Sequence, residues 1–151
     1  MSNDSGILVL LVFACGFGVA QISKLIGAFL KNRGRLGIRD VKYWLFRSGG
    51  MPSGHAASMT AVTTVLGWTY GVASMAFAIM ACLTVIIIYD AVNVRYAVGE
   101  QGKVMNRELK QKVRVVEGHT VMEALVGTII GFAIGTVGYL MYGMWVMSVI
   151  S

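Results

Sequence analysis

The chain has only two histidines, and each stands in a short polar string inside an otherwise apolar sequence. The first string is Gly49-Gly50-Met51-Pro52-Ser53-Gly54-His55. The second is Glu117-Gly118-His119-Thr120, with Glu123 four residues after its histidine. Proline suits the first turn of a helix. The N–H groups exposed at such a start can cradle a phosphate, helped by the Ser53 hydroxyl, the Gly54 backbone and the helix dipole. His55 then stands where it could protonate a leaving oxygen. His119 and Glu123 share one face of a helix. A carboxylate on one ring nitrogen fixes the tautomer and makes the other nitrogen a better nucleophile. Taken singly, the strings have plainer readings: a helix start with an interfacial histidine, and a buried His–Glu hydrogen bond. Taken together they are what phosphoryl transfer through a phosphohistidine requires.

Three cations are candidate phosphate clamps. Lys24 lies inside the first apolar segment, Arg47 just before the first histidine string, and Arg95 at the end of the third apolar run. Arginine offers a planar fork and lysine a point charge, and both suit a phosphoryl group whose charge spreads over its equatorial oxygens. Snorkelling at the headgroup level is the plainer explanation. Gln21, one turn before Lys24, can share its face, and Asp90 can orient Arg95 or cap the loop.

The elements that carry these residues are membrane helices. Of the 151 residues, 56% are hydrophobic and 13% charged, about half the charged fraction of an ordinary soluble domain. The mean hydropathy is +0.71. The length fits a single domain over residues 1–151. Met1 to Gly6 lacks the basic leader of a cleavable signal, so the first apolar stretch is expected to stay as a span. Four spans are predicted: Gly6 to Leu30, Pro52 to about Tyr70, Val72 to about Val94, and His119 to about Met147, against a requirement of about 20 apolar residues each. The fold class expected is therefore all-α, a polytopic membrane bundle with a polar cytoplasmic loop between the third and fourth helices.

The net charge of +6 is not that of a nucleic-acid binder. Besides Lys24, six cations (Lys31, Arg33, Arg35, Arg39, Lys42, Arg47) fall in one connecting segment and six (Arg95, Lys103, Arg107, Lys110, Lys112, Arg114) in the other. Retention of basic loops in the cytoplasm accounts for this split, and no recognition motif for nucleic acid is present. Both termini are then expected outside the cell membrane. All the chemically interesting residues fall at one depth on the cytoplasmic side, where ionisable groups are costly and usually mark a site.

Other features read as structural. Gly127, Gly131 and Gly135 form a close-packing stripe, which could serve a homodimer as well as the bundle interior. Ten methionines fill an irregular apolar interior, and Cys15 and Cys82 are small packing residues. The two histidines with Asp90 and Glu117 lack a recognised metal-ligand spacing.

These strings resemble the type 2 phosphatidic acid phosphatase and vanadium haloperoxidase superfamily, in particular its small divergent bacterial membrane branch. The resemblance runs from Gln21 to Gly135 and rests on Gly49 to His55, then Asp90, Arg95, Gly99, Gln101 and Asn106, then Gly118-His119-Thr120 with Glu123. It implies that Lys24 is the first-motif lysine and that Ser53, Gly54 and His55 are the second motif, with His55 as acid. Arg95 is implied as the third-motif arginine, His119 as nucleophile, and Glu123 as the residue that orients it in place of the usual Asp. The implied chemistry needs no metal or other cofactor. The chain departs from the pattern in three ways. Arg95 and His119 are far apart in sequence, no arginine-proline stands near Lys24, and four spans replace the usual six. Whether Arg95 or Arg47 reaches the phosphate stays open.

The expected function is a membrane lipid phosphate phosphatase acting on a phosphomonoester or diphosphate. One alternative is a non-catalytic phospholipid-binding or transport protein that kept the anion pocket. Another is a transferase that passes the phosphoryl group to an alcohol.

Overall fold

A computed structural model of the chain describes residues 4–35, 37–38, 41, 49–108, 115 and 118–150. All the regular structure among them is helical. Helix α1 spans Asp4–Lys31, α2 Gly54–Tyr70 and α3 Met75–Tyr89; a five-residue π-helical stretch, Asp90–Val94, leads into α4, Arg95–Glu108, and α5 spans Val121–Ile150. Among the described residues, three segments are long and apolar enough to cross a membrane: residues 6–31, 75–108 and 121–148. The molecule is a helical membrane bundle.

Helix α2 is the centre of the bundle, packing on α1, α3 and α5, while α1 and α5 also touch each other. At 17 residues it is about 25 Å long, shorter than α1 at 28 residues and α5 at 30. Small residues explain the close approach. Gly54, Ala56, Ala57, Ser58 and Ala61 of α2 are all buried. On α5, a Cβ at Gly127 would fall 2.5 Å from the Ser53 carbonyl oxygen, one at Gly131 would overlap the Ala57 carbonyl, and one at Gly135 would fall 2.5 Å from that of Ala61. On α1, a Cβ at Gly16 would fall 2.9 Å from the Ser58 Cα. With lipid on the outside there is little hydrophobic gain in bringing helices together, so van der Waals contact between bare backbones is the main attraction available. The glycine stripe is spent on α2, so a homodimer would have to use another face.

Helix α1 buries a stripe at every fourth residue: Leu8, Val12, Gly16, Ala20, Lys24 and Ala28. Its other faces carry exposed Leu10, Leu11, Ile22 and Ile26, which suit lipid. The helix ends where Gly34, at φ 79°, returns its N–H to the Phe29 carbonyl at 2.9 Å, a turn that relies on glycine's freedom in the left-handed region. Helix α3 is tied to α2 by polar links, chiefly a 2.7 Å hydrogen bond between the Thr63 and Thr84 hydroxyls. At the end of α2 away from its histidine, Trp68 donates to the Thr136 hydroxyl at 3.2 Å and stacks on Tyr139.

Two elements differ from the sequence expectation. The second of the four predicted spans, α2, has 17 residues, short of the about 20 that a crossing needs, and is not among the three segments long enough to cross. The polar loop predicted after the third span is helical over its first part, because the helix does not stop at Val94 but widens through the π-helical stretch and continues to Glu108. The continuous run 75–108 has 34 residues, about 51 Å, which exceeds an apolar bilayer core of about 30 Å. Helix α4 therefore extends beyond the apolar zone.

Candidate active site

The chain reaches the site through four helix ends. Gly49 and Gly50, at φ 95° and 81°, lead through a cis Met51–Pro52 peptide to Ser53. Ser53 is fully buried and is the N-cap of α2, its hydroxyl accepting from the Ala56 N–H at 3.3 Å. The Ser53 N–H donates to the Glu123 carbonyl at 2.9 Å. That bond locks the start of α2 to the start of α5, and so fixes one histidine string against the other.

Residues 118–120, just before α5, lie against the π-helical stretch and the start of α4 like a strap. The His119 N–H donates to the Ala91 carbonyl at 2.9 Å. Gly118 sits so close to the helix that a Cβ there would overlap the backbone of Tyr96. Gly102, further along α4, receives the Val115 side chain in the same way, 3.2 Å from where its Cβ would be. Widened π turns recur at functional sites because they re-aim groups that a regular helix would bury. Here the Ala91 carbonyl holds the backbone of His119.

His119 is 5% exposed and precedes the membrane-crossing part of α5. Its Nδ1 lies 3.2 Å from Glu123 Oε2, and the Gly50 backbone lies beside the ring. The same carboxylate oxygen accepts from the Thr120 N–H at 3.0 Å, while the Thr120 hydroxyl accepts from the Glu123 N–H at 3.3 Å. This is a capping box. It rigidifies the carboxylate and leaves Nε2 as the nitrogen without the Glu123 contact. Burial pushes the His119 pKa below its ordinary value, and the Glu123 hydrogen bond opposes that shift in part. The imidazole is therefore held neutral near neutral pH, the form a nucleophile needs.

His55, in the first turn of α2, is exposed, with Lys24, Asp90, Arg95 and His119 all within electrostatic reach. Lys24 is 5% exposed and Gln21 6%, both on the buried stripe of α1 or beside it. The Gln21 amide oxygen lies 3.8 Å from where a Gly54 Cβ would be, so it borders the turn that opens α2. Asp90 and Arg95 form an ion pair across the π-helical stretch, both partly exposed. The pairing holds the guanidinium within electrostatic reach of His55.

The structure thus brings together Lys24, Gln21, Ser53, Gly54, His55, Asp90, Arg95, His119 and Glu123. Arg47 and Glu117 lie outside the described residues. The sequence reading missed the Gly50 backbone, the Ala91 carbonyl, and the roles of Thr120 and Gly118. Of these, Thr120 was detectable, since Thr-x-x-Glu before an apolar run is a capping-box signature. A polar cavity of about 170 Å³ borders Glu123, lined also by Gly50, Tyr96, Glu100, Lys103 and Thr120. Among the described residues no cluster of three or more histidine, cysteine or acidic side chains has the geometry to hold a metal ion.

A family profile described as the divergent PAP2 family matches residues 5–134. An uncharacterized membrane protein of Bacillus subtilis (strain 168), YuiD, is 43% identical over 60 residues, which is 40% of this chain. The match spans 38% of that relative's own length. No solved structure matches. The apolar helices and the membrane-protein relative make this a multi-pass membrane protein.

Proposed function

The chain belongs to the divergent PAP2 family, and from that membership we propose that it is a membrane lipid phosphate phosphatase working through a phosphohistidine. The observation that carries the reading is the His119–Glu123 pair, its imidazole buried, within electrostatic reach of a second histidine that Lys24 and Arg95 also reach. A site that only bound an anion would need the cations and the backbone donors. It would have no use for a neutral, carboxylate-oriented imidazole.

The chemistry follows from the groups present. His119 Nε2 attacks phosphorus in line, forming a P–N bond. Lys24, Arg95, the Ser53 hydroxyl and the backbone at Gly54 hold the equatorial oxygens. The P–O bond to the lipid breaks, and protonated His55 gives its proton to the departing oxygen. Neutral His55 then takes a proton from water, which attacks phosphorus and releases phosphate, restoring His119. Gln21 supports the turn and Asp90 orients Arg95. Arg47 remains a second candidate clamp. An alcohol in place of water would make the same site a phosphoryl transferase. With both basic segments retained in the cytoplasm, the site faces that side of the cell membrane and both termini lie outside. The substrate is then a lipid phosphate of the inner leaflet. The single domain expected over residues 1–151 would contain the whole site.

Purified protein should release phosphate from a lipid phosphate in the presence of chelator, and vanadate should inhibit it. Saturable lipid phosphate binding with no release under any condition would favour the non-catalytic alternative instead.

Glu123→Gln isolates the charge, because glutamine can keep the capping box. It should lower kcat about 10²-fold with little change in thermal stability. The pH dependence carries a sign. Protonation of His119 removes the nucleophile, and its pKa is depressed below the ordinary value of about 6.5. In the wild type kcat/KM should therefore hold as pH falls through about 6.5 and decline only below it. In Glu123→Gln the raising influence is gone, so that acid limb should move to still lower pH. A limb that moves up would contradict the role given to Glu123.

A further inference from the structure

We propose that the lipid tail of the substrate lies in a lateral cleft between α1 and α3, on the α2 face that carries His55 and Met59, and that substrate enters there from the bilayer. The inference rests on the phosphatase reading above and adds where the lipid sits.

The geometry of α2 defines the cleft. One flank of the helix touches α1, through Ser58 against Gly16 and Gly54 beside Phe17. The other flank touches α3, through Thr63 bonded to Thr84 and Gly67 beside Phe77. The back of the helix is covered by α5, through Ala56, Thr60 and Thr64 against the three glycines. The face left over carries His55, Met59, Val62 and Leu66, at helical spacings of four, seven and eleven. Among the described residues α1 and α3 share no interface comparable to those each makes with α2. At the site end this face is open, with His55 exposed and Met59 half-buried; Val62, two turns on, is 5% exposed within the hydrophobic cluster, so the cleft closes there.

Reaction stereochemistry selects the occupant. In an in-line displacement the leaving oxygen departs opposite the nucleophile. The nucleophile is buried on the side of α5 and the π-helical stretch, and the proton donor stands at the open cleft. The alkoxide and the tail attached to it must therefore leave through that cleft. The rim agrees in charge, with Lys24 of α1 on one side and the Asp90–Arg95 pair on the other, both within electrostatic reach of His55. A phosphate held by these groups places an acyl or prenyl chain directly over Met59. The rival location is an apolar cavity of about 890 Å³; lined by Leu8, Val12, Ile134, Gly138 and Trp145 among others, it lies toward the opposite end of the bundle.

Two readouts test the proposal in the full-length protein. A lipid phosphate with a diazirine in mid-chain should photolabel the peptide containing Met59 and the facing residues of α1 and α3, in wild type and in His119→Ala alike. Labelling confined to the distant cavity or to the exposed face of α5, near Leu125 and Ile129, overturns it. Met59→Trp should raise KM for a long-chain lipid phosphate at least about tenfold while hydrolysis of p-nitrophenyl phosphate stays within about threefold of wild type. Equal effects on both substrates, or none on either, overturn it. The failures separate cleanly. A labelled cleft in a protein that releases no phosphate sinks the phosphatase reading alone; turnover with labelling elsewhere sinks the cleft alone.

Discussion

His119→Ala should lose phosphate release from lipid phosphates by about 10⁴-fold or more, a barrier increase of about 5.5 kcal/mol. In the proposed mechanism the nucleophile has no substitute, because His55 serves the leaving group and is exposed, while the Glu123 carboxylate pairs with His119. The fold should survive. The strap is held by the backbone N–H of residue 119 on the Ala91 carbonyl, and the Thr120–Glu123 capping box does not involve the ring. Lipid phosphate affinity should therefore change by less than about tenfold, since Lys24, Arg95 and the Ser53 turn remain. Measuring release and binding in the same preparation separates a lost nucleophile from a lost fold. A variant that still turned over at the wild-type rate would exclude the mechanism.

The second large effect is on stability. Gly131→Leu should destabilise the bundle by about 3 kcal/mol or more, because a Cβ there would overlap the Ala57 carbonyl and lie 2.9 Å from the Thr60 Cβ. Backbone cannot step aside as a flexible side chain can. The gain in helix propensity from replacing glycine is about 0.8 kcal/mol, too small to offset that. Gly143→Leu in the same helix is the control, since nothing lies within 4 Å of its added Cβ, and it should be close to neutral. Thermal unfolding in detergent measures both. Because α5 also carries Glu123, whose carbonyl accepts from the Ser53 N–H, pushing α2 away should also separate the two histidines and remove activity. Equal melting temperatures for the two variants would contradict the α2–α5 packing.

Much of this site was legible because the polar residues are few and their context is oily. Lys24, His55, Arg95 and His119 stand out in a chain where most positions serve lipid contact, and the basic segments place them at one membrane depth. The spacing of His119 and Glu123 gave their pairing directly. The glycine stripe was recognised as packing, but its partner was not, since Gly127, Gly131 and Gly135 say only that something comes close. That the something is α2 depends on Ala56, Ala57 and Ala61, which look unremarkable in sequence.

Other features had no local signal. Helix α4 has glycines at 99 and 102 and a polar composition, which reads as loop; it is helical in continuation of α3, with both glycines buried and the Val115 side chain packed where Gly102 has no Cβ. The π-helical widening at Asp90–Val94 has no composition of its own. It exists in the context of the strap, whose His119 N–H it receives. The contact of Gly50 with the His119 ring is likewise a product of tertiary placement, visible beforehand only as a pair of glycines.

The central claim is that phosphorus becomes bonded to His119. Rapid quenching of enzyme with ³²P-labelled lipid phosphate under alkaline conditions, followed by peptide mapping, tests it most directly. The account predicts an acid-labile, base-stable label on the peptide containing His119, formed at least as fast as turnover and absent from His119→Ala. Turnover with no labelled protein at any time, or a label on His55, would contradict it.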